Sequence, residues 1–168
     1  SPVETEVSFD VLPNTSAAIR EKDELNMYVI GNSYADIAIN NDIYGGLVHR
    51  ISEQFGTQIN YINKAMSELI AQDAVDMSAK LMEDQTPDVI VVDFDGMNAE
   101  TAQAIINKYR NINRYCEFIF ATDITSITGD GVLALPREKL IGMMPVNIED
   151  GVKKEYINYP DSKYQILK

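Results

Sequence analysis

The stretch Pro87-Asp88-Val89-Ile90-Val91-Val92-Asp93 decides the fold class. Four consecutive β-branched residues, set between acidic residues and preceded by a proline, are typical of a strand that is buried on both faces. Such strands occur in parallel sheets that helices cover on both sides. We therefore expect residues 89–94 to form the central strand of an α/β domain.

The rest of residues 26–157 alternates short apolar runs with helical spacing, which is the pattern of repeated βα units. Four further strands are predicted at 27–30, 59–62, 117–122 and 140–144. Apolar stripes predict helices over about 44–55, 69–81 and 102–109, and a last short helix over 148–156. Together they predict a doubly wound, flavodoxin-like, three-layer domain, with five parallel strands in the order 2-1-3-4-5.

A single domain is predicted, because 168 residues with 45% hydrophobic content suffice for one core. Residues 1–25 are polar and mixed in charge, and they are interpreted as a linker or an added edge strand. Residues 158–168 are interpreted as a C-terminal tail. The start Ser1-Pro2-Val3 has neither a Met nor a secretory pattern, which indicates an excised fragment or a processed product.

The net charge and the composition of the chain exclude some classes of partner. Lys and Arg number 14 against 26 Asp and Glu, and the resulting net charge of −12 repels phosphate backbones and anionic lipids. Nucleic acid is therefore not expected as a partner. The apolar runs are far shorter than the roughly 20 residues of a membrane helix, so no direct membrane insertion is expected. One cysteine, Cys116, fits a reducing compartment, and the predicted location is cytoplasmic.

Candidate chemistry lies where the predicted strands end, because ligands of open parallel sheets bind at the carboxyl edge. Asp93 follows the third strand and Thr122 follows the fourth, while Ser33 and Asn98 lie in the loops after the first and third strands. Asn98 can also cap the following helix. The sequence has no Gly-rich phosphate loop, no pair of neighbouring cysteines and no His–carboxylate spacing, so no cofactor and no metal site are predicted.

The order of elements, together with Asp93, Thr122 and Pro145, resembles the receiver domains of two-component response regulators. The resemblance implies that Asp93 is the phosphoacceptor and Thr122 the switch hydroxyl. However, Gly31-Asn32 replaces the family's acidic pair, and Met144 replaces the lysine before the proline. Phosphoryl transfer to a carboxylate needs a divalent ion and a cation. The resemblance therefore implies an atypical receiver that is catalytically silent.

Silent receivers of this kind precede the P-loop ATPase in pilus-assembly proteins of the Flp/Tad kind. Their strand three ends in Asp-x-Asp-Gly, which is similar to Asp93-Phe94-Asp95-Gly96. This resemblance implies the N-terminal targeting domain of a pilus-assembly or regulatory protein. The function predicted first is a non-catalytic protein-interaction and dimerisation domain.

A second resemblance gives an alternative of another class. Gly31-Asn32-Ser33 and Gly96-Met97-Asn98 are similar to two blocks of the SGNH hydrolases, which implies Ser33 as nucleophile and Asn98 as oxyanion donor. A serine nucleophile needs a neighbouring base, which in that family is a histidine close to the end of the chain. The single histidine here, His49, lies in the first predicted helix. The alternative is therefore an SGNH/GDSL-like hydrolase that is inactive or truncated.

Self-association is predicted from an apolar region without an obvious cover. Glycines and a proline between the fourth and fifth predicted strands interrupt the helix that normally covers this side of the sheet. Monomers rarely expose large apolar patches, so we expect a protein partner here, with a homodimer as the first expectation. The predicted interface residues are Val132, Leu133, Leu135, Ile141, Met143 and Met144.

Overall fold

The computed structural model describes residues 5–8 and 11–146, and side chains from 11 to 142. In chain order the described elements are β1 (Thr5–Ser8), α1 (Pro13–Arg20), β2 (Leu25–Gly31), α2 (Ile43–Phe55), β3 (Ile59–Asn63), α3 (Ala71–Asp76), α4 (Ser78–Leu81), β4 (Val89–Asp93), α5 (Ala99–Arg110), β5 (Glu117–Ala121), β6 (Val132–Leu135), α6 (Arg137–Ile141) and β7 (Met143–Val146). The predicted helix over 148–156 and the tail over 158–168 lie outside the described residues.

Five of the strands form one parallel sheet in the order β3-β2-β4-β5-β6. Every residue of β4 is buried, and β4 occupies the centre of the sheet. Val89 and Val91 pack on the same side as α1 and α2, whereas Ile90 and Val92 pack on the side of α3, α4 and α5. The predicted three-layer α/β fold and its central strand are confirmed.

The fifth strand was placed wrongly by the sequence. The edge position next to β5 belongs to β6, with Phe118 opposite Val132 and Ala121 opposite Leu135. Most of the segment predicted as that strand forms helix α6 and the start of β7, and β7 pairs in parallel with β1 in a separate two-stranded sheet. The prediction fails because the crossover from β5 to β6 has no helix, and the apolar run at 140–144 resembles a strand as much as the run at 132–135 does.

Two predicted helices agree with the structure and one differs. Helix α2 buries Tyr44, Leu47, Val48 and Ile51, and it ends at Gly56, whose φ of 66° is left-handed. Helix α5 buries its predicted stripe. The helix predicted over 69–81 is instead two short helices, α3 and α4, which meet at Met77.

Helix α1 lies in the segment where a linker or an added edge strand was predicted. Helix α1 begins at Pro13. Proline lacks a backbone N–H, but this costs no hydrogen bond here, because the first N–H groups of a helix have no partner within the helix. All of its residues except Arg20 are buried. Within this segment, residues 13–20 therefore form a packed helix on the α2 face of the sheet, and residues 5–8 form the strand β1 outside the five-stranded sheet.

The start of α1 is bound by a carboxyl group from the sheet. Glu117, fully buried at the first position of β5, accepts hydrogen bonds from Asn14 N (3.0 Å), Thr15 N (2.6 Å) and Thr15 Oγ1 (2.7 Å). These bonds satisfy N–H groups that a helix start leaves without a partner. Burial raises the pKa of Glu117 to about 7, although the hydrogen bonds from α1 and the charge of Arg110 oppose the rise.

No helix within residues 5–8 and 11–146 is long and apolar enough to span a bilayer.

Candidate functional site

An ion pair lies at the carboxyl edge of the central strand. Asp93, the last residue of β4, is fully buried. Its Oδ2 accepts hydrogen bonds from Tyr44 Oη (2.6 Å) and Arg137 Nε (2.9 Å), and its Oδ1 accepts one from Arg137 Nη2 (2.6 Å). The two-pronged guanidinium contact matches the geometry of a carboxylate and compensates its buried charge.

Three elements bring this cluster together. Arg137 begins α6 directly after β6, and Tyr44 lies in the first turn of α2. Gly31, at the end of β2, lies so close to β4 that a Cβ there would be 2.2 Å from the carbonyl oxygen of Asp93. Asn32 N then donates to that same carbonyl oxygen (3.1 Å). This close approach sets the start of the β2–α2 loop directly beside Asp93.

Proton affinities in the cluster are shifted so that every donor keeps its proton. Burial raises the pKa of Tyr44 far above its usual value, and the neighbouring Asp93 charge raises it further. The hydrogen bond to Asp93 raises the pKa of Arg137, and it outweighs the opposing effect of burial. Tyr44 and Arg137 therefore both keep their protons at neutral pH and act as hydrogen-bond donors to Asp93.

Arg137 links the buried cluster to the surface. Its guanidinium carbon lies 3.8 Å from the centroid of the Tyr34 ring, which is a cation–π distance. Its Nη2 is also 3.5 Å from Oδ1 of Asp95, a side chain that is 71% exposed. The arginine thus holds a buried carboxylate on one side and contacts two loops on the other.

A cavity of about 320 Å³ opens beside this arginine. Four apolar or mainly apolar side chains line it: Phe94, Met97, Ala121 and Ile124. Its polar lining comes from Asp95, Thr122, Asp123, Arg137 and Glu138. The lining carries three carboxylates against the one guanidinium of Arg137, so its net charge is negative, which disfavours anionic ligands.

The two candidates of the hydrolase alternative lie in loops at the carboxyl edge, whereas the single histidine lies in α2. Ser33 is exposed in the loop after β2, where its carbonyl accepts from Asn40 Nδ2 (2.8 Å). Asn98 caps α5, with its Oδ1 accepting from Thr101 N (2.8 Å). His49 lies on the exposed side of α2, 3.3 Å from Glu53. A histidine base for Ser33 is therefore absent from the described residues.

The candidates of the receiver resemblance are engaged in structural contacts. Asp93 has no exposed surface, and both of its carboxylate oxygens accept hydrogen bonds. Thr122 Oγ1 accepts from Ile124 N (3.2 Å) within a turn, and Asn32 Oδ1 accepts from Asp95 N (3.2 Å). In the part of the chain that the structure describes, no three His, Cys, Asp or Glu side chains are arranged to hold a metal ion.

The predicted interface residues are mostly covered by their own chain. Val132 is buried in the core, while Leu133, Leu135 and Ile141 are partly buried and pack against it. The carbonyl of Ile141 also accepts from Arg50 Nη2 (2.5 Å). These four residues are therefore covered wholly or in part by their own chain. The side chains of Met143 and Met144 are outside the described set, and a homodimer stays a prediction without this support.

Sequence reasoning missed three members of the site: Arg137, Tyr44 and Tyr34. Tyr44 was assigned only to the buried stripe of its helix. Arg137 would have been found by the rule of strand ends if β6 had been assigned, since it follows that strand by two residues. The stacking of Tyr34 on Arg137 depends on loop geometry that no periodicity reports.

Comparisons with known proteins show the fold and leave the family open. No protein-family model and no curated protein matches the chain. A solved two-domain esterase, CEX, active on acetylated mannans, superposes with a TM-score of 0.58 and 15% identity, over 67% of this chain and 33% of that one. The same esterase with mannopentaose gives 0.57 and 14%, over 69% and 34%. TesA gives 0.45 and 16%, over 56% and 58%.

This chain thus spans about a third of the length of the esterase chains. At such identities the likeness establishes a shared α/β fold. The comparisons give the receiver resemblance no support, and two of the matching solved structures are of an esterase.

Proposed function

We propose that this chain is an SGNH-type domain that binds another protein and does not hydrolyse esters. Two observations support the SGNH part. Gly31-Asn32-Ser33 and Gly96-Met97-Asn98 follow the first and third strands of the five-stranded sheet in chain order, as the resemblance expects. The fold is also shared with a two-domain esterase.

The observation that carries the loss of hydrolysis is the position of the single histidine, which lies in α2 and not in the loop of Ser33. The single histidine of the sequence, His49, lies on the exposed side of α2. Asp93 is held in an ion pair, and Asp36 uses its oxygens to accept from Ala38 N (2.8 Å) and Ser67 N (2.9 Å). A serine hydroxyl without a base is a poor nucleophile at neutral pH.

The test is an esterase assay on the purified chain. With p-nitrophenyl acetate and an acetylated mannan oligosaccharide, we expect turnover at the rate of the buffer alone. Ser33→Ala and the control Ser126→Ala, another exposed serine, should behave as the parent chain does. Turnover above background that Ser33→Ala removes and Ser126→Ala retains would overturn the proposal.

A second candidate is a hydrolase whose base comes from outside this chain, and the exposure of Ser33 at the carboxyl edge favours it. Added imidazole distinguishes the two, because a small diffusible base can replace a missing histidine. We expect imidazole to raise the rates of the parent chain and of Ser33→Ala equally. A gain confined to chains that keep Ser33 would support the hydrolase.

A further inference from the structure

Exposed apolar side chains are concentrated at the carboxyl edge. Among residues 11–142, seven large hydrophobic side chains are exposed: Val11, Tyr34, Ile37, Ile39, Met66, Ile70 and Ile112. Five of them, at 34, 37, 39, 66 and 70, lie in the loops that follow β2 and β3, and we call these five the edge patch. Ile37, Ile39 and Ile70 are 50%, 56% and 62% exposed. Scattered exposed hydrophobics are ordinary, whereas a cluster at one edge marks an interaction surface.

Hydrogen bonds between the two loops hold the patch in one arrangement. Asn63 Nδ2 donates to the carbonyl of Ala35 (3.0 Å), and Met66 N donates to the carbonyl of Gly31 (3.1 Å). The carboxylate of Asp36, a residue that is only 8% exposed, accepts from Ser67 N across the loops. The apolar side chains are thus presented on a preformed surface, which lowers the entropy cost of binding.

The charge around the patch is negative. Lys64 is the only Lys or Arg in residues 31–42, 64–70, 94–98 and 122–131, which follow β2, β3, β4 and β5, and it forms a salt bridge with Asp84. Arg137 is paired with Asp93. Glu68, Asp95 and Asp123 are exposed. Residues 136–142, which follow β6, add the exposed Glu138 and Lys139, and Asp95 also lies 3.5 Å from Arg137 Nη2. The exposed charge that a partner meets at this edge is therefore mainly carboxylate.

From these features we infer that the edge patch docks a segment of another protein that carries both apolar side chains and lysine or arginine. The inference rests on the proposed function and names its partner class. Apolar side chains of the segment cover Ile37, Ile39 and Ile70, and its cations meet the exposed carboxylates. Charge complementarity of this kind raises association rates and selects among partners.

The same charges argue against other occupants. A second copy would bring an equally acidic edge and a further net charge of −12 to the interface. Anionic lipids and nucleic acids are repelled for the same reason. A segment of a different protein with basic residues is the occupant that both the apolar and the electrostatic features fit.

The experiment selects random peptides displayed on phage against the parent chain, with counter-selection on the double variant Ile37→Ser/Ile39→Ser. The enriched peptides are then synthesised and measured by fluorescence anisotropy. Ile112→Ser is the matched control, because Ile112 is 40% exposed beyond the end of α5, at the opposite edge of the sheet. Circular dichroism of each variant confirms folding before binding is measured.

We expect enriched peptides to combine Leu, Ile or Phe with Lys or Arg. The double variant should weaken their binding at least about tenfold, as loss of an interface anchor does. Ile112→Ser should bind within about twofold of the parent chain, and binding should weaken as salt screens the carboxylates. No enrichment, enrichment of acidic peptides, or equal losses in the double variant and Ile112→Ser would overturn the inference.

Two further outcomes would also overturn it: a dimer in sedimentation, or binding to phosphatidylcholine vesicles, that the double variant abolishes. The esterase assay separates this inference from the proposed function. Peptide binding without turnover supports both, whereas Ser33-dependent turnover refutes the proposed function whatever the peptides do. Failure of the peptides with no turnover refutes the docking surface and leaves the loss of hydrolysis standing.

Discussion

Replacing Glu117 by glutamine should change how folding stability depends on pH. The pKa of Glu117 is about 7 in the folded protein, against 4.5 for an ordinary glutamate. Because the folded pKa is the higher one, the stability gained from the neutral form is complete below about 4.5 and is lost as pH rises through 7. The full loss is about 3 kcal/mol, and about 2 kcal/mol of it falls between pH 5.5 and 8.5.

Glutamine at position 117 cannot ionise. The unfolding free energy of Glu117→Gln therefore lacks the fall with rising pH that ionisation of Glu117 causes in the parent chain. Urea unfolding followed by circular dichroism at pH 5.5, 7.0 and 8.5 measures the difference between variant and parent. Between pH 5.5 and 8.5, the unfolding free energy of Glu117→Gln should rise by about 2 kcal/mol relative to that of the parent chain. This change is expected whichever of the two proteins is more stable at pH 5.5. Glu138→Gln, at an exposed carboxylate, is the control and should show a constant difference. Parallel curves for the parent chain and Glu117→Gln would refute the raised pKa.

Three further predictions concern the carboxyl edge. Arg137→Met leaves a buried carboxylate without its cation and should lower the free energy of unfolding by about 3–5 kcal/mol in urea titrations, whereas the exposed Lys139→Met should change it by less than about 0.5 kcal/mol. Gly31→Ala places a Cβ against the backbone of Asp93 and should cost about 1–3 kcal/mol or more, whereas Gly46→Ala, whose Cβ has its nearest neighbour at 3.8 Å, should be neutral or stabilising; equal melting temperatures would contradict this. Incubation with acetyl phosphate and magnesium should leave the intact mass unchanged, and a phosphoryl adduct that Asp93→Asn abolishes would contradict the burial of that carboxylate.

The fold could be predicted from the sequence wherever a residue pattern fits only one type of secondary structure. Residues 89–92 are apolar on both faces, which only a central strand explains. The stripe of α2 and the cap at Asn98 are equally local. Residues 132–146 contain two apolar runs, each of which fits the fifth strand of the sheet, and periodicity alone does not decide between them.

The site was harder to predict because its contacts join distant segments. Asp93 was a candidate from its place at a strand end, but its partners Tyr44 and Arg137 are 49 and 44 residues away in the chain. A sequence without its fold shows three separate polar residues. Their hydrogen bonds make Asp93, a strand-end candidate in the sequence, half of a buried ion pair.

The pairing of β1 with β7 has a consequence for the order of folding events. Within the sequence β2 to β5, neighbouring strands of the sheet are joined by one βα unit or, for β2 and β4, by two, so these contacts close shorter loops. Thr5 to Ser8 instead meet Met143 to Val146 across almost the whole described chain, and closing so long a loop carries a larger entropy cost. We therefore expect β1 and β7 to pair after the five-stranded sheet has formed and has brought these two segments close together. Amide protons in β1 and β7 should then exchange with solvent faster than those of β4, through openings that leave the central sheet intact.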